Sequence, residues 1–254
     1  MVSDQQLTDQ QRRVKEQYRD RRGFWVPQDY LLQADPAFLE YYLDFSAHPK
    51  DVLGTKLKHL IHIAIDCSVT HLHVPATRAH ISMAMQDHGA TFWEILQVIE
   101  LASTIGVHSA MEGSQILREE LNGETGDATD GHGRVTADRP VGDWADAFEA
   151  ISAFDEDWAE YALEYWIHPV ENGPLDDVDL ELICIAICVS PTYLNADAVR
   201  RHVNNALDCG ASTDEIMAAI ETASVLSMHT ASDTVSVLVE EAKKCEKLPD
   251  SIDG

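Results

Sequence analysis

The 254-residue chain is short of basic groups: 18 Lys and Arg stand against 44 Asp and Glu, a net charge of −26, and only seven of the eighteen are lysine. A surface of that sign repels nucleic acid and anionic membrane alike, so neither is an expected partner. Such charge acts as a solubilising coat, or as an adaptation to a salt-rich cytoplasm in which screening over a few ångströms removes the self-repulsion. No apolar run approaches the roughly 20 residues that span a bilayer. Residues Met1 to Arg22 are polar, without the apolar core of a secretion signal, so the expected setting is cytoplasmic. The five cysteines (Cys67, Cys184, Cys188, Cys209 and Cys245) form no CxxC pair. Cys184 and Cys188 are one helical turn apart within an apolar run and read as small core residues rather than a disulfide or redox pair. No β-alternation of useful length appears, which leaves an all-α protein.

What is present is a repeat. Leu60-Ile61-His62-Ile63-Ala64-Ile65 returns 122 residues later as Leu182-Ile183-Cys184-Ile185-Ala186-Ile187. The same offset lays His80 on His202 and Ala84 on Ala206. After a one-residue slip near His88, Gly89-Ala90-Thr91 falls on Gly210-Ala211-Ser212, Glu100 on Glu221, and His108 on His229. Further back, the stretch from Asp35 to Tyr42 resembles that from Asp155 to Ala162. A period this long fits a duplicated domain better than a solenoid. The halves are expected at 1–121 and 143–254, joined by a linker at 122–142 that is rich in Gly, Asp and Thr.

Within each half the apolar spacing is helical. Lys56 to Cys67 and Asp179 to Val189 read as buried central helices. Pro75 can open the next helix, to about His88, and Asn195 can cap its counterpart, to Cys209. Thr91 with Glu94, and Ser212 with Glu215, read as capping boxes. The helices they start are expected to end near Gly106 and Met228, with final helices at about His108–Leu121 and Thr230–Lys247. Trp93, just after a cap, is expected to pack.

The order of these motifs resembles the carboxymuconolactone decarboxylase family, which includes the alkylhydroperoxidase-D-like proteins. In the second half the run is Glu181-Leu182-Ile183, His202 to Ala206, and Gly210 to Ile216; in the first it is His59-Leu60-Ile61, His80 to Ala84, and Gly89 to Ile95. The resemblance implies an all-helical domain, here in tandem, with pseudo-twofold packing of the halves and assembly into a homo-oligomer. The redox branch of that family uses a glutamate, a CxxC pair and a histidine. Its cysteine positions map to Asn195 and Ala198, and to His73 and Ala76, so a peroxidase or antioxidant activity lacks its thiols. The glutamate position maps to Glu181 in the second copy and to His59 in the first.

Acid–base chemistry remains. The family's decarboxylases act on a carboxylated unsaturated lactone without an organic cofactor, and the resemblance implies a lyase acting on a small carboxylated or carbonyl compound. His80 is the expected proton donor, oriented by His73 or His59, with Glu100, His202 and Glu181 as further candidates. His59, His73 and His80 also form a candidate metal set suited to zinc, iron or copper. His71 or Glu100 could supply a further ligand. No cofactor is otherwise required. His80 and His202 could equally be buried structural histidines, and the Glu100/Glu221 and His108/His229 pairs structural or interface groups. His62, His88, His132 and His168 lack repeated partners and read as surface or incidental. A binding or scaffold protein without catalysis stays open beside the enzyme.

Overall fold

The computed structural model describes residues 7–22, 28–47, 52–121 and 144–252. The expected linker at 122–142, with His132, lies outside them. Among the described residues twelve α-helices occur in this order: α1 Asp9–Arg22, α2 Asp29–Ala34, α3 Pro36–Ala47, α4 Thr55–Cys67, α5 Val74–Asp87, α6 Phe92–Glu120, α7 Ala145–Ser152, α8 Glu156–Asn172, α9 Asp177–Val189, α10 Ala196–Asp208, α11 Thr213–Ser224 and α12 Met228–Lys244. No strand occurs among the described residues, and no helix there is long and apolar enough to cross a membrane.

The two copies of the sequence pattern adopt the same local structure. Asp35 and Asp155 each accept a backbone N–H at the start of α3 and α8, from Phe38 at 3.0 Å and Trp158 at 2.9 Å. After α4 the chain turns through Leu72 at φ 50°, and after α9 through Leu194 at φ 37°. The amide of His73 then bonds back to the carbonyl of Asp66, and that of Asn195 to the carbonyl of Cys188. Both capping boxes are closed in both directions: Thr91 with Glu94, and Ser212 with Glu215. The one-residue slip sits in the turn after α5. Ala90 N–H reaches six residues back to Ala84, whereas Ala211 N–H reaches five back to Ala206, across Gly89 and Gly210, both at positive φ.

Contacts divide the chain into two compact units that cut across this repeat: Val52–Ala223, and 1–51 with 224–254. In the larger unit α4 packs against α9, its counterpart 122 residues on. Just beyond them Thr70 Oγ1 and Thr192 Oγ1, also 122 apart, lie 3.3 Å from each other. Contact between equivalent positions is what a local twofold produces. The second half of α6 packs on α7 and α8, where Val107 and Met111 join Trp144, Phe148, Leu163, Ile167 and Cys188 in one core. In the smaller unit α1, α2 and α3 close around Val14, Tyr18, Leu32, Leu39 and Leu43, and Met228 of α12 joins them. Each unit therefore combines helices from both copies.

Two expectations are corrected. The first copy has no break at Gly106: α6 runs unbroken from Phe92 to Glu120. Leu101, Ile105, His108 and Met111 carry the buried stripe straight through, and that burial outweighs the roughly 1 kcal/mol a helical glycine costs. The second copy does break, at a 3-10 turn over Val225–Ser227. Trp93 does not pack inward; it is 66% exposed and stands edge-on to Phe92.

Candidate active site

The most developed polar cluster lies in the second copy. On α9, Glu181, Cys184 and Cys188 fall at i, i+3 and i+7, one face of the helix. On α10, His202 and Asn205 share the facing side. His202 Nδ1 lies 2.7 Å from Glu181 Oε2, and Asn205 donates to Glu181 Oε1 at 3.3 Å. His202 is buried. These groups open on a cavity of about 280 Å³ walled by apolar residues of α6, α8 and α9. That size suits a small organic molecule rather than a polymer.

The cavity is completed by α6. His108 is buried and stacks on Trp144, the residue before α7, with ring centres 4.8 Å apart and planes 8° from parallel. Trp166 of α8 donates its indole N–H to His108 Nε2 at 3.4 Å, so Nε2 is the unprotonated nitrogen. The His108 and His202 ring centres are 6.0 Å apart. Arg201 lies over Trp144, 5.2 Å from the ring centre, and pairs through both nitrogens with Asp146.

The two imidazoles are pushed in opposite directions. Burial opposes charge on His202, but hydrogen bonds to Cys188 and Glu181 outweigh it and raise the imidazole to about 9. Burial, then the charges of His202 and Arg201, lower His108 to about 3. At neutral pH the cavity therefore holds one imidazolium and one neutral imidazole, the kind of divergence that separates acid from base.

The corresponding place in the first copy is rich in histidine. His59 Nδ1 lies 2.9 Å from His80 Nδ1, so imidazole stands where Glu181 stands in the second copy. His62 stacks on His80 with centres 4.3 Å apart, and His88 on His59 at 5.0 Å. His62 is three residues from His59 on the same helix face, a signal available in the sequence; nothing there pointed to His88. His73 caps α5: its Nδ1 accepts from Ala76 N–H at 3.4 Å, as Asn195 Oδ1 does from Ala198 at 3.0 Å. The donor atoms that converge with His73 belong to Asp66 and His71, within 4.8 Å of one another, rather than to His59 and His80. Asp66 is buried, and burial raises its carboxyl to about 8. A carboxylic acid held neutral beside two imidazoles can lose its proton to a divalent cation, so the donor set fits a zinc-type ion. Glu100 is half-buried on α6. All five cysteines are free.

No protein-family model matches this chain, and no curated protein does either. Its all-helical architecture is that of the carboxymuconolactone decarboxylase fold. Among solved structures it is similar to the crystal structure of a putative gamma-carboxymuconolactone decarboxylase subunit from Burkholderia xenovorans LB400. The two share 29% sequence identity and a TM-score of 0.84, over 92% of this chain and 98% of that one.

Proposed function

We propose that the protein is a carboxymuconolactone decarboxylase-like lyase, acting in the second-copy cavity on a small carboxylated compound with a conjugated carbonyl. When carbon dioxide leaves, the bonding pair flows into the carbonyl and an enolate forms. His202 stands ready as an imidazolium to protonate the carbon. Its Nδ1 is committed to Glu181, so the transferable proton is on Nε2. Glu181 orients the ring and compensates its charge when substrate closes off water. Neutral His108 keeps a second full positive charge out of the cavity and leaves Trp144 and Trp166 as an apolar wall. The observation that carries this reading is the Glu181–His202 pair opening on a cavity of substrate size. The fold likeness supports the lyase class. Reading the chain as a duplicated unit with halves at 1–121 and 143–254, and as a homo-oligomer, belongs to the same proposal.

The first-copy histidines are the alternative seat, with His80 as donor. Carbon dioxide release from a carboxylated muconolactone decides between them. His202→Gln is expected to lower turnover by at least about 100-fold, the usual worth of a positioned acid, and His80→Gln by far less. Loss confined to His80→Gln moves the site to the first copy. No turnover by the unmodified protein over a panel of such lactones removes the lyase reading.

A metal-assisted variant has one observation in its favour, the convergence of Asp66, His71 and His73. A divalent ion there would supply a Lewis acid. Elemental analysis of untagged protein tests it: one equivalent of zinc, iron or copper that Asp66→Asn abolishes supports the variant, and a metal-free protein refutes it. An alkylhydroperoxidase-type activity has no such support, because Asn195 and Ala198 occupy the positions its thiols would need. A purely binding protein would bind the lactone in this cavity without turning it over.

A further inference from the structure

Three of the five cysteines line the cavity: Cys184, Cys188 and Cys209. Their surroundings differ. Burial, and then Glu181, push the Cys184 thiol well up. Burial, followed by Asp177, Glu181 and Asp208, pushes up Cys209. A carboxylate neighbour disfavours the thiolate, which is the nucleophilic form. Cys188 instead stands between the two imidazoles. Its Sγ lies 4.0 Å from His108 Nδ1, and it lines the same cavity as His202, whose Nδ1 is tied to Glu181 and whose raised basicity it supports.

We propose that Cys188 is a nucleophile that adds covalently to conjugated carbonyl compounds entering this cavity, with His202 as its proton partner. A thiol, an imidazole beside it and a carboxylate on the far side of that imidazole reproduce the nucleophile, base and orienting group of covalent catalysis. In the reacting pair the thiol proton is already on His202, which stands as the imidazolium, and Cys188 attacks as the thiolate. The sulfur pair forms a bond to the β-carbon of the unsaturated carbonyl, and the π pair moves onto the carbonyl as an enolate. The proton on His202 Nε2 then passes to the α-carbon. Thiol and alkene become a thioether; nothing is oxidised or reduced, and no co-reactant is needed. The first copy cannot do this, because 122 residues before Cys188 stands Asp66, and before Glu181 stands His59. Cys188 is 1% exposed, so its reaction is confined to molecules that enter the cavity. Decarboxylation is not required, and a conjugated ketone without a carboxylate should react.

The probe is 2-cyclohexenone, a neutral cyclic enone, incubated at pH 7 with the full chain. Rates come from intact mass and sites from peptide mapping. Cys188 is expected to label at least about tenfold faster than exposed Cys245, and Cys188→Ser to remove that fast phase. His202→Gln should slow Cys188 labelling about tenfold or more. Glu181→Gln keeps the shape of the side chain and serves if His202→Gln fails to fold. It should slow labelling too, and in ¹⁵N spectra bring the His202 ring below its value of about 9, a shift that a merely structural role would not cause. Fast labelling at Cys184 or Cys209 overturns the proposal. So does Cys188 labelling no faster than Cys245, or labelling indifferent to both substitutions.

Discussion

Gly173 follows α8 and is the point at which the placement of α6 can be tested. Its φ is −107°, open to any residue, so the requirement for glycine is one of space. A Cβ there would lie 1.8 Å from Cδ of Gln97 and 2.1 Å from its Nε2. Gln97 is 2% exposed and cannot swing into solvent without unpacking α6. Its amide donates to the carbonyl of Pro169 at 2.6 Å and accepts from Leu175 N–H at 2.9 Å. The pair pins α6, which carries His108, to the connection leading into α9, which carries Glu181. Gly173→Ala must evict the amide and strand both backbone groups. At about 1–3 kcal/mol for each buried group left unsatisfied, the cost is about 2–5 kcal/mol after partial relaxation. Urea unfolding followed by circular dichroism measures it. Gln97→Ala loses the same two bonds and frees the space, so adding Gly173→Ala to it should cost under about 0.5 kcal/mol more; this coupling is read from a double-mutant cycle. A Gly173→Ala protein within about 0.5 kcal/mol of wild type refutes the reasoning, as does an equal cost in both backgrounds.

Two further outcomes are expected. Unfolded histidine titrates near 6.5, whereas folded His108 is held neutral down to about 3. The unfolded chain therefore binds the extra proton between those values, and the stability that neutral His108 confers is lost as pH falls below about 6.5. Relative to wild type, His108→Phe should gain up to about 1.4 kcal/mol per pH unit through that window; a difference flat with pH contradicts the assignment. Leu72 and Leu194 sit at positive φ with their side chains largely exposed. Glycine at either position removes about 1–2 kcal/mol of backbone strain and returns about 0.5–1 kcal/mol through the unfolded chain. Thermal melts should show each variant unchanged or stabilised by up to about 1 kcal/mol, and destabilisation at both positions counts against the strain.

Much of the fold was legible because the repeat is written in local signals. Capping boxes, the apolar runs of α4 and α9, and the glycines after α5 and α10 depend on neighbours within a turn or two, and they appear where the spacing puts them. The unbroken course of α6 through Gly106 is not legible because a glycine's propensity cost is local, whereas the burial of Leu101, Ile105 and His108 that overrides it comes from helices distant in sequence. The site was legible in part. The nearness of position 181 to 202, and of 59 to 80, was implied by the family resemblance, and the repeat carried it from one copy to the other. Trp144, Trp166 and His108 could not be gathered from spacing, because the start of α7, α8 and α6 meet only in the folded unit. Asp66 was invisible for a similar reason: a single aspartate ending an apolar helix carries no mark of its burial beside His71 and His73.

The second-copy cavity holds a charged His202 beside a neutral His108. Site-resolved ¹⁵N titration of the histidine rings measures both states in the intact protein, with His202→Gln and His108→Phe providing the assignments. His202 is expected to be still protonated at pH 7.5 and to lose its proton near 9, while His108 is neutral throughout the range in which the protein stays folded. A neutral His202 at pH 7, or a His108 that titrates near 6.5 as a free imidazole does, would contradict it.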